Sequence, residues 1–326
     1  MPDLPHPASR IPHPVIIDTD PGIDDMLALY LALRSPELDV RGISVSYGNT
    51  VAENAYRNVV EILRRGGGEK RVRLAVGARR PLKRPLRVAR ETHGESGLGY
   101  AAVPPAGLVL DFVRPLERLL AEQPDRVTLV TLGPLTSLAL ALRRDAGVVR
   151  AKVARHIAMV GNLAAQGNTT KFSEFNAWCD PEALRTVLAA ELPTEMVGLD
   201  VTRRLVLSAA EVNRLDTNDA PRAQWLSDAL RFYVEFHRDH EGLEGCVVND
   251  VLPIAALLDP GVLAFQPARI VVDLDDDERR GRTREAPDGA AALVARDVKV
   301  EAVRALLSAR VLSWAMAPPE TVGASA

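Results

Sequence analysis

Four aspartates, Asp18, Asp20, Asp24 and Asp25, fall within eight positions in the stretch VIIDTDPGIDDMLALYLAL, residues 15–33. Carboxylates this crowded raise one another's pKa unless a cation or a helix N-terminus offsets them. Aspartate is a common helix cap and first-turn residue, which accounts for one or two of the four. Capping has no use for all four, so the spacing points to binding of a divalent cation. An EF-hand is excluded, because that loop needs glycine at its sixth position and glutamate at its twelfth. Counted from Asp18, the glycine stands fifth and Leu29 twelfth.

The elements around the cluster must hold it in place. Val15-Ile16-Ile17 reads as a buried strand, and Met26, Leu27, Leu29, Tyr30 and Leu33 read as a helical face. The aspartates therefore crowd a strand-to-helix turn. Further strand-like runs follow, VRGISVSYG, VRLAVG, VTLVTLG, HIAMVG, TEMVGLD and ARIVVDLD, separated by helical stretches. One such stretch, TVAENAYRNVVEILRRGG, spaces Val51, Ala55, Val59 and Ile62 near a helical period and ends at glycine. This alternation predicts an α/β fold with an open, mainly parallel, Rossmann-like sheet flanked by helices. In such sheets ligands sit outside the carboxyl ends of the strands. Residues 1–14 read as a loose proline-rich arm, 15–316 as one domain and 317–326 as a frayed tail. The mixed-charge segment 275–289 reads as a solvated loop or hairpin and not a binding patch.

Composition narrows the classes. With 47% hydrophobic residues in 326 and a formal charge of −3, the chain has ample core and no electrostatic footprint for a nucleic acid polymer. No run is long and apolar enough to span a membrane, and the N-terminal arm lacks the apolar centre of a signal peptide. Cys179 and Cys246 stand in no metal-ligand spacing and read as ordinary buried thiols. A cytoplasmic location is the expectation.

The polar residues that end the strands supply the remaining candidates. Asn49 follows ISVSYG, a place where asparagine commonly forms a turn or cap. His93 lies in the glycine-rich HGESGLG, where a lone histidine reads first as a surface residue. The Gly-Pro turn after VTLVTLG frees the Leu132 carbonyl, an oxygen suited to a hard cation. Met159, Asn162, Asn168, Glu174 and Asn176 share one irregular segment whose amides and carboxylate suit a polyhydroxylated ligand. Asp250 sits in the apolar GCVVNDVLPIAALL, where an unpaired charge is costly and the same cation is its natural partner.

Together, DTDPGIDD and the later segments, in order from Asp18 to about Pro260, closely resemble the nucleoside hydrolases of the inosine-uridine-preferring family, whose signature is DTDPGxDDxxAL. The resemblance implies Ca2+ held by Asp20, Asp25, the Leu132 carbonyl and Asp250, with Asp20 also the base that takes a proton from the attacking water. It implies a substrate pocket of Asp24, Asn49, Met159, Asn168, Glu174 and Asn176, with His93 on a base-side loop and Asn249 beside the last metal ligand. The implied reaction is hydrolysis of ribonucleosides to ribose and free base, in nucleoside salvage, by a homodimer or homotetramer. All the proposed ligands are oxygens, which suits calcium better than zinc. Because neighbours on a helix point about 100° apart, Asp24 and Asp25 are expected to serve different partners. GLDVT, residues 198–202, is a further match whose residues read as structural.

The chain departs from the family at Asn249-Asp250-Val251, where many members have His-Asp-Pro. Asparagine is no general acid. The leaving base is then protonated by another histidine (His93, His237 or His240), activated by stacking on an aromatic, or not released at all. Trp178, Trp225, Phe232, Tyr233 and Phe236 are the aromatic candidates, although the helical period of WLSDALRFYVEFHRDHEG assigns most of them to a packed helix face. Two other readings stay open. One is a catalytically weak ribose- or nucleoside-binding protein that keeps the calcium site. The other is a Mg2+-dependent phosphatase of haloacid dehalogenase type, whose strand also ends in Asp-x-Asp, although no catalytic lysine is assignable.

Overall fold

The computed structural model describes residues 11–68, 71–105, 114–275 and 277–318. Most of the expected N-terminal arm and C-terminal tail lies outside the described residues. The first strand begins two residues earlier than the expected boundary, since His13 and Pro14 already pair with Leu38 and Asp39.

β1 (His13–Thr19) runs into α1 (Ile23–Leu33), and β2 (Leu38–Val45) into α2 (Ala52–Gly66). β3 (Arg73–Val76) is followed by two short helices, α3 (Arg90–His93) and α4 (Leu116–Ala121). β4 (Val127–Thr131), α5 (Thr136–Lys152) and β5 (Val153–Met159) lead into an irregular segment. After it come α6 (Phe175–Cys179), α7 (Pro181–Leu188), β6 (Thr194–Val197) and α8 (Leu199–Thr202). β7 (Val206–Ser208), α9 (Ala209–Asp216), α10 (Pro221–Glu241), β8 (Gly245–Val247) and α11 (Val251–Leu258) follow. β9 (Leu263–Val272), β10 (Thr283–Glu285) and β11 (Ala290–Val298) precede α12 (Val300–Leu307), a π-helical turn and α13 (Ser313–Met316).

Nine strands form one sheet in the order β10-β9-β11-β6-β5-β4-β1-β2-β3. All pairs from β3 through β11 are parallel, and β9 and β10 add antiparallel pairs at one edge. The mainly parallel, helix-flanked sheet is the one expected. Both faces are covered: Ile17 packs with α1, α10 and α11, whereas its neighbour Ile16 packs with α4, α5 and α7. That double burial explains why the central strands read as continuous apolar runs.

Four strands escaped the sequence reading. β7 and β8 have three residues each, β10 lies in a charged segment, and β11 is alanine-rich with little β-branched signal. The chain leaves β1 toward β2 and β3, then returns on the other side of β1 as β4. A crevice opens where the strand order reverses, outside the ends of β1 and β4.

Candidate active site

At that crevice β1 ends in buried acid. Asp20, Asp24, Asp25 and Asp250 are each at most 4% exposed. Carboxylate oxygens of Asp24, Asp25 and Asp250 lie within 4.8 Å of one another. The two neighbouring aspartates thus bring their carboxylates together, although successive side chains on a helix start about 100° apart. Asp25 folds back over the start of α1, accepting the Gly22 N–H at 2.9 Å, the Thr19 hydroxyl and the Asn49 Nδ2 at 2.8 Å, which brings it beside Asp24. Asp250 arrives from the start of α11. Asp20 Oδ2 accepts the Asn49 N–H at 2.7 Å, while its buried Oδ1 has no hydrogen-bond partner among the described residues. A Cβ at Gly48 would lie 1.9 Å from Asp20 Oδ2 and one at Gly133 2.3 Å from Oδ1, so the two glycines let the carboxylate fit.

Charge accumulates here without compensation. Burial, followed by the Asp25 charge, pushes Asp20 well above the usual carboxylate range and Asp24 up to about 7. Asp250 rises for the same reason, with Asp24 the largest of its charged neighbours. Asp18 faces the other way, beside Ser44 and Ser137, and burial takes it to about 7.

Opposite this floor stands a wall of amides. Glu174 caps α6 by accepting the N–H groups of Asn176 at 2.6 Å, Ala177 at 3.0 Å and Gly161 at 2.9 Å. Asn176 Nδ2 donates to the Leu132 carbonyl at 2.6 Å and the Met159 carbonyl at 3.0 Å, tying the ends of β4 and β5 together. Asn168 is exposed at the rim, and its Oδ1 accepts the Phe175 N–H at 2.9 Å. Asp24, Asn49, His93, Leu132, Met159, Asn168, Glu174, Asn176, Asn249 and Asp250 line a single cleft with about 500 Å³ of empty space. Asp20 and Asp25 lie beneath it. No lysine or arginine is among the lining residues.

His93 is buried in α3, not in a surface loop as its glycine-rich context suggested. Its Nδ1 accepts the Ile23 N–H at 3.1 Å, so the proton of the neutral ring is on Nε2. Burial, then the neighbouring His237, lowers its pKa to about 3. Tyr233 packs against this ring at 5.2 Å and lines the cleft. Past Tyr233 the cleft continues between Leu199, Arg203, Phe236, His237 and Glu241. His237 Nδ1 donates to the Tyr233 carbonyl at 2.9 Å, whereas His240 is exposed. Trp178 and Trp225 stand outside the cleft, each beneath an arginine.

Some contributors were invisible in sequence. Thr202 donates to Asn249 Oδ1 at 2.8 Å, which leaves Asn249 Nδ2 to face Asp24 at 3.4 Å. Asp200 accepts the N–H groups of Leu163, Ala164 and Ala165 and anchors the loop before Asn168. Both residues lie within GLDVT, so that motif was the available signal.

The floor fits a hard cation. Three converging carboxylates, a partnerless Asp20 oxygen and the nearby Leu132 carbonyl supply only oxygen donors. The fold and site together are a doubly wound sheet with buried carboxylates that could hold a metal ion at its switch point, faced by a wall of amides. A sequence profile for the inosine-uridine preferring nucleoside hydrolases matches residues 15–305. The chain belongs to that family, hydrolases of the N-glycosyl bond of ribonucleosides, which sets the phosphatase alternative aside.

Pyrimidine-specific ribonucleoside hydrolase RihA of Citrobacter koseri is 36% identical over 274 residues, covering 83% of this chain and 87% of that protein. The protein of the same name from Salmonella typhimurium is 37% identical over 276 residues, with the same coverage. Among solved structures, the plant nucleoside hydrolase PpNRh1 superposes with a TM-score of 0.85 at 29% identity, covering 94% of this chain and all of that one. A purine-preferring ribonucleoside hydrolase from Gardnerella vaginalis gives a TM-score of 0.85 at 26% identity, covering 93% of this chain and 99% of that one.

Proposed function

We propose that this protein is a Ca2+-dependent ribonucleoside hydrolase that releases ribose and free base. The observation that carries the reading is the floor, where the Asp24, Asp25 and Asp250 carboxylates converge beside a partnerless oxygen of Asp20. Asp20, Asp25, Asp250 and the Leu132 carbonyl would hold the ion. Calcium bound there supplies a polarised water and an anchor for the ribose diol.

Asp20 takes the proton of the attacking water on whichever of its carboxylate oxygens the ion leaves free. Asp24 accepts a ribose hydroxyl, and the free polar atoms of Asn49, Asn168, Glu174 and Asn176 bind the others beside Met159. This grip orients the ribose as the bond from C1′ to the base nitrogen breaks and positive charge develops on the sugar. With a pKa of about 3, His93 is not an imidazolium at neutral pH, so it stabilises the leaving base by hydrogen bonding through Nε2–H, and the base, departing as an anion, takes its proton from solvent, to which Asp20 later returns the one it received. Asn249, held by Thr202, keeps Asp24 turned toward the ribose.

The same reading places the protein in nucleoside salvage, as one domain over 15–316 in a cytoplasmic homodimer or homotetramer. Among the described residues no helix is long and apolar enough to cross a membrane. The test is reducing-sugar release from inosine, adenosine, guanosine, uridine and cytidine with calcium present, alongside Asn249→His. Turnover of at least one ribonucleoside, and none of its 2′-deoxy counterpart, is expected. Wild type silent on all five would sink the enzyme reading; tight nucleoside binding without product would replace it with the binding-protein reading.

A further inference from the structure

Two of the wall residues, Asn168 and Glu174, sit on a segment, 160–174, that has no strand or helix of its own. Besides Asp200, what holds it comes from the far edge of the sheet. Thr283, in β10, is 1% exposed, and its hydroxyl serves both backbone groups of one residue. Thr283 Oγ1 accepts the Asn162 N–H at 3.0 Å and donates to the Asn162 carbonyl at 2.6 Å. Asn162 passes the constraint on: its Oδ1 accepts the Glu174 N–H at 3.0 Å, and its Nδ2 donates to the carbonyls of Ala165 and Phe172.

The turn before β10 reinforces this contact. Thr170 Oγ1 donates to the Glu278 carbonyl at 2.8 Å, and Arg280 donates to the Cys179 carbonyl while its guanidinium lies 4.2 Å from the Trp178 ring centre. Gly281, at φ +76°, lies so close to α6 that a Cβ there would come within 2.5 Å of the Ala177 carbonyl oxygen. The segment expected to be a solvated charged hairpin or loop is a hairpin, β9 to β10, and is packed in part against the amide wall.

We propose that Thr283 is a positioning residue for ribose recognition, acting through Asn162 to set the place of Glu174. The proposal rests on the ribonucleoside hydrolase reading. Thr283 lines no part of the cleft, so its effect falls on the wall and not on the acidic floor. Ribose affinity should weaken when the hydroxyl is lost, while cation affinity and the chemical step keep their values.

The experiment compares wild type, Thr283→Val, Thr283→Ser and Thr170→Val on the best ribonucleoside, with free ribose as competitive inhibitor and calcium titrated by thermal shift. Thr283→Val, which keeps shape and loses both hydrogen bonds, is expected to raise KM and the ribose Ki about tenfold. Its kcat and calcium midpoint should stay within about twofold, the margin expected where no interaction with the reacting atoms is lost. Thr283→Ser should restore wild-type values, and Thr170→Val should raise KM in the same direction by less.

An unchanged ribose Ki in Thr283→Val, a fall in kcat with constant KM, or failure of serine to rescue would each overturn the proposal. If Thr283→Val does not fold, the Thr170→Val result decides, and an unchanged KM there counts against it. Wild type that neither turns over nor binds a ribonucleoside overturns the functional reading and the proposal with it, an outcome visible before any variant is examined.

Discussion

The two sides of the cleft are built on opposite electrostatic plans. The floor gathers its charges from one turn plus Asp250; Asp25 has three donors, but Asp20 Oδ1 is orphaned, and Asp20, Asp24 and Asp250 all titrate high. Burial raises Glu174 in the wall as well, but its carboxylate receives three backbone N–H groups that pull it back down, and both amide hydrogens of Asn176 Nδ2 have carbonyl acceptors. A buried carboxylate without partners is costly, whereas a saturated one helps to fix its surroundings. The floor is therefore completed by something outside the chain, and the wall is complete by itself.

Removing the cation is the largest way to test that contrast. Chelation should abolish turnover and lower Tm, and the Tm difference should widen as pH rises through about 7. The sign follows from Asp24: without a cation its folded pKa is raised from 3.8 to about 7, so the folded state holds a proton that the unfolded chain has released. Metal-free stability thus falls as pH climbs from about 4 to 7, where a bound cation replaces the proton. A Tm difference independent of pH between 5.5 and 8 would argue against the incomplete floor.

Next in size, Asp20→Asn should cut kcat by about 10²–10⁴-fold, the range for loss of a general base. In the metal-free protein the same variant should raise Tm, because a crowded charge is gone. Glu174→Gln supplies the opposite sign. It presents an NH2 group to one of the three backbone donors, and an unmatched buried donor costs about 1–3 kcal/mol, so metal-free Tm should fall and KM should rise. Were both variants to move Tm in one direction, floor and wall would not differ as described.

How far these features could be read from the chain follows the same division. The floor was legible because its residues are close in sequence and chemically extreme; DTDPGIDD placed Asp20, Asp24 and Asp25 at the strand end before any coordinates. Asp250 was legible because a charge interrupts the apolar run GCVVNDVLPIAALL. The parallel sheet was legible from strands buried on both faces. Thr202, Asp200 and Thr283 were not, since their partners lie 35 to 121 residues away and threonine and aspartate are ordinary surface and turn residues. His93 was misplaced because glycine-rich context signals a loop and says nothing of Tyr233, 140 residues later, which covers it. The convergence of Asp24 with Asp25 was hidden by the helical 100° rule, which fixes Cβ directions and not where a carboxylate bends back to cap its own helix.

The smallest expected effect lies behind the wall, at His156 in β5. The ring is fully buried, with Nε2 and Nδ1 each 3.0 Å from a hydroxyl, Thr131 and Thr194, and burial lowers its pKa to about 3. Below pH 6.5 the unfolded chain takes up a proton that the folded chain refuses, so this group's stabilising contribution is whole above 6.5 and is lost as pH falls toward 3. The slope is at most about 1.4 kcal/mol per pH unit for one such histidine. In calcium-saturated protein, where the floor is neutralised, urea midpoints between pH 7 and 5 should therefore decline with acid, and His156→Gln should decline less steeply by up to one proton. His93, which shares the low pKa, keeps the remaining slope in that variant. Acid and base thus strain different regions: rising pH loads the empty floor, and falling pH loads the histidines packed around the cleft, so metal-free protein should be most stable at a pH between the two.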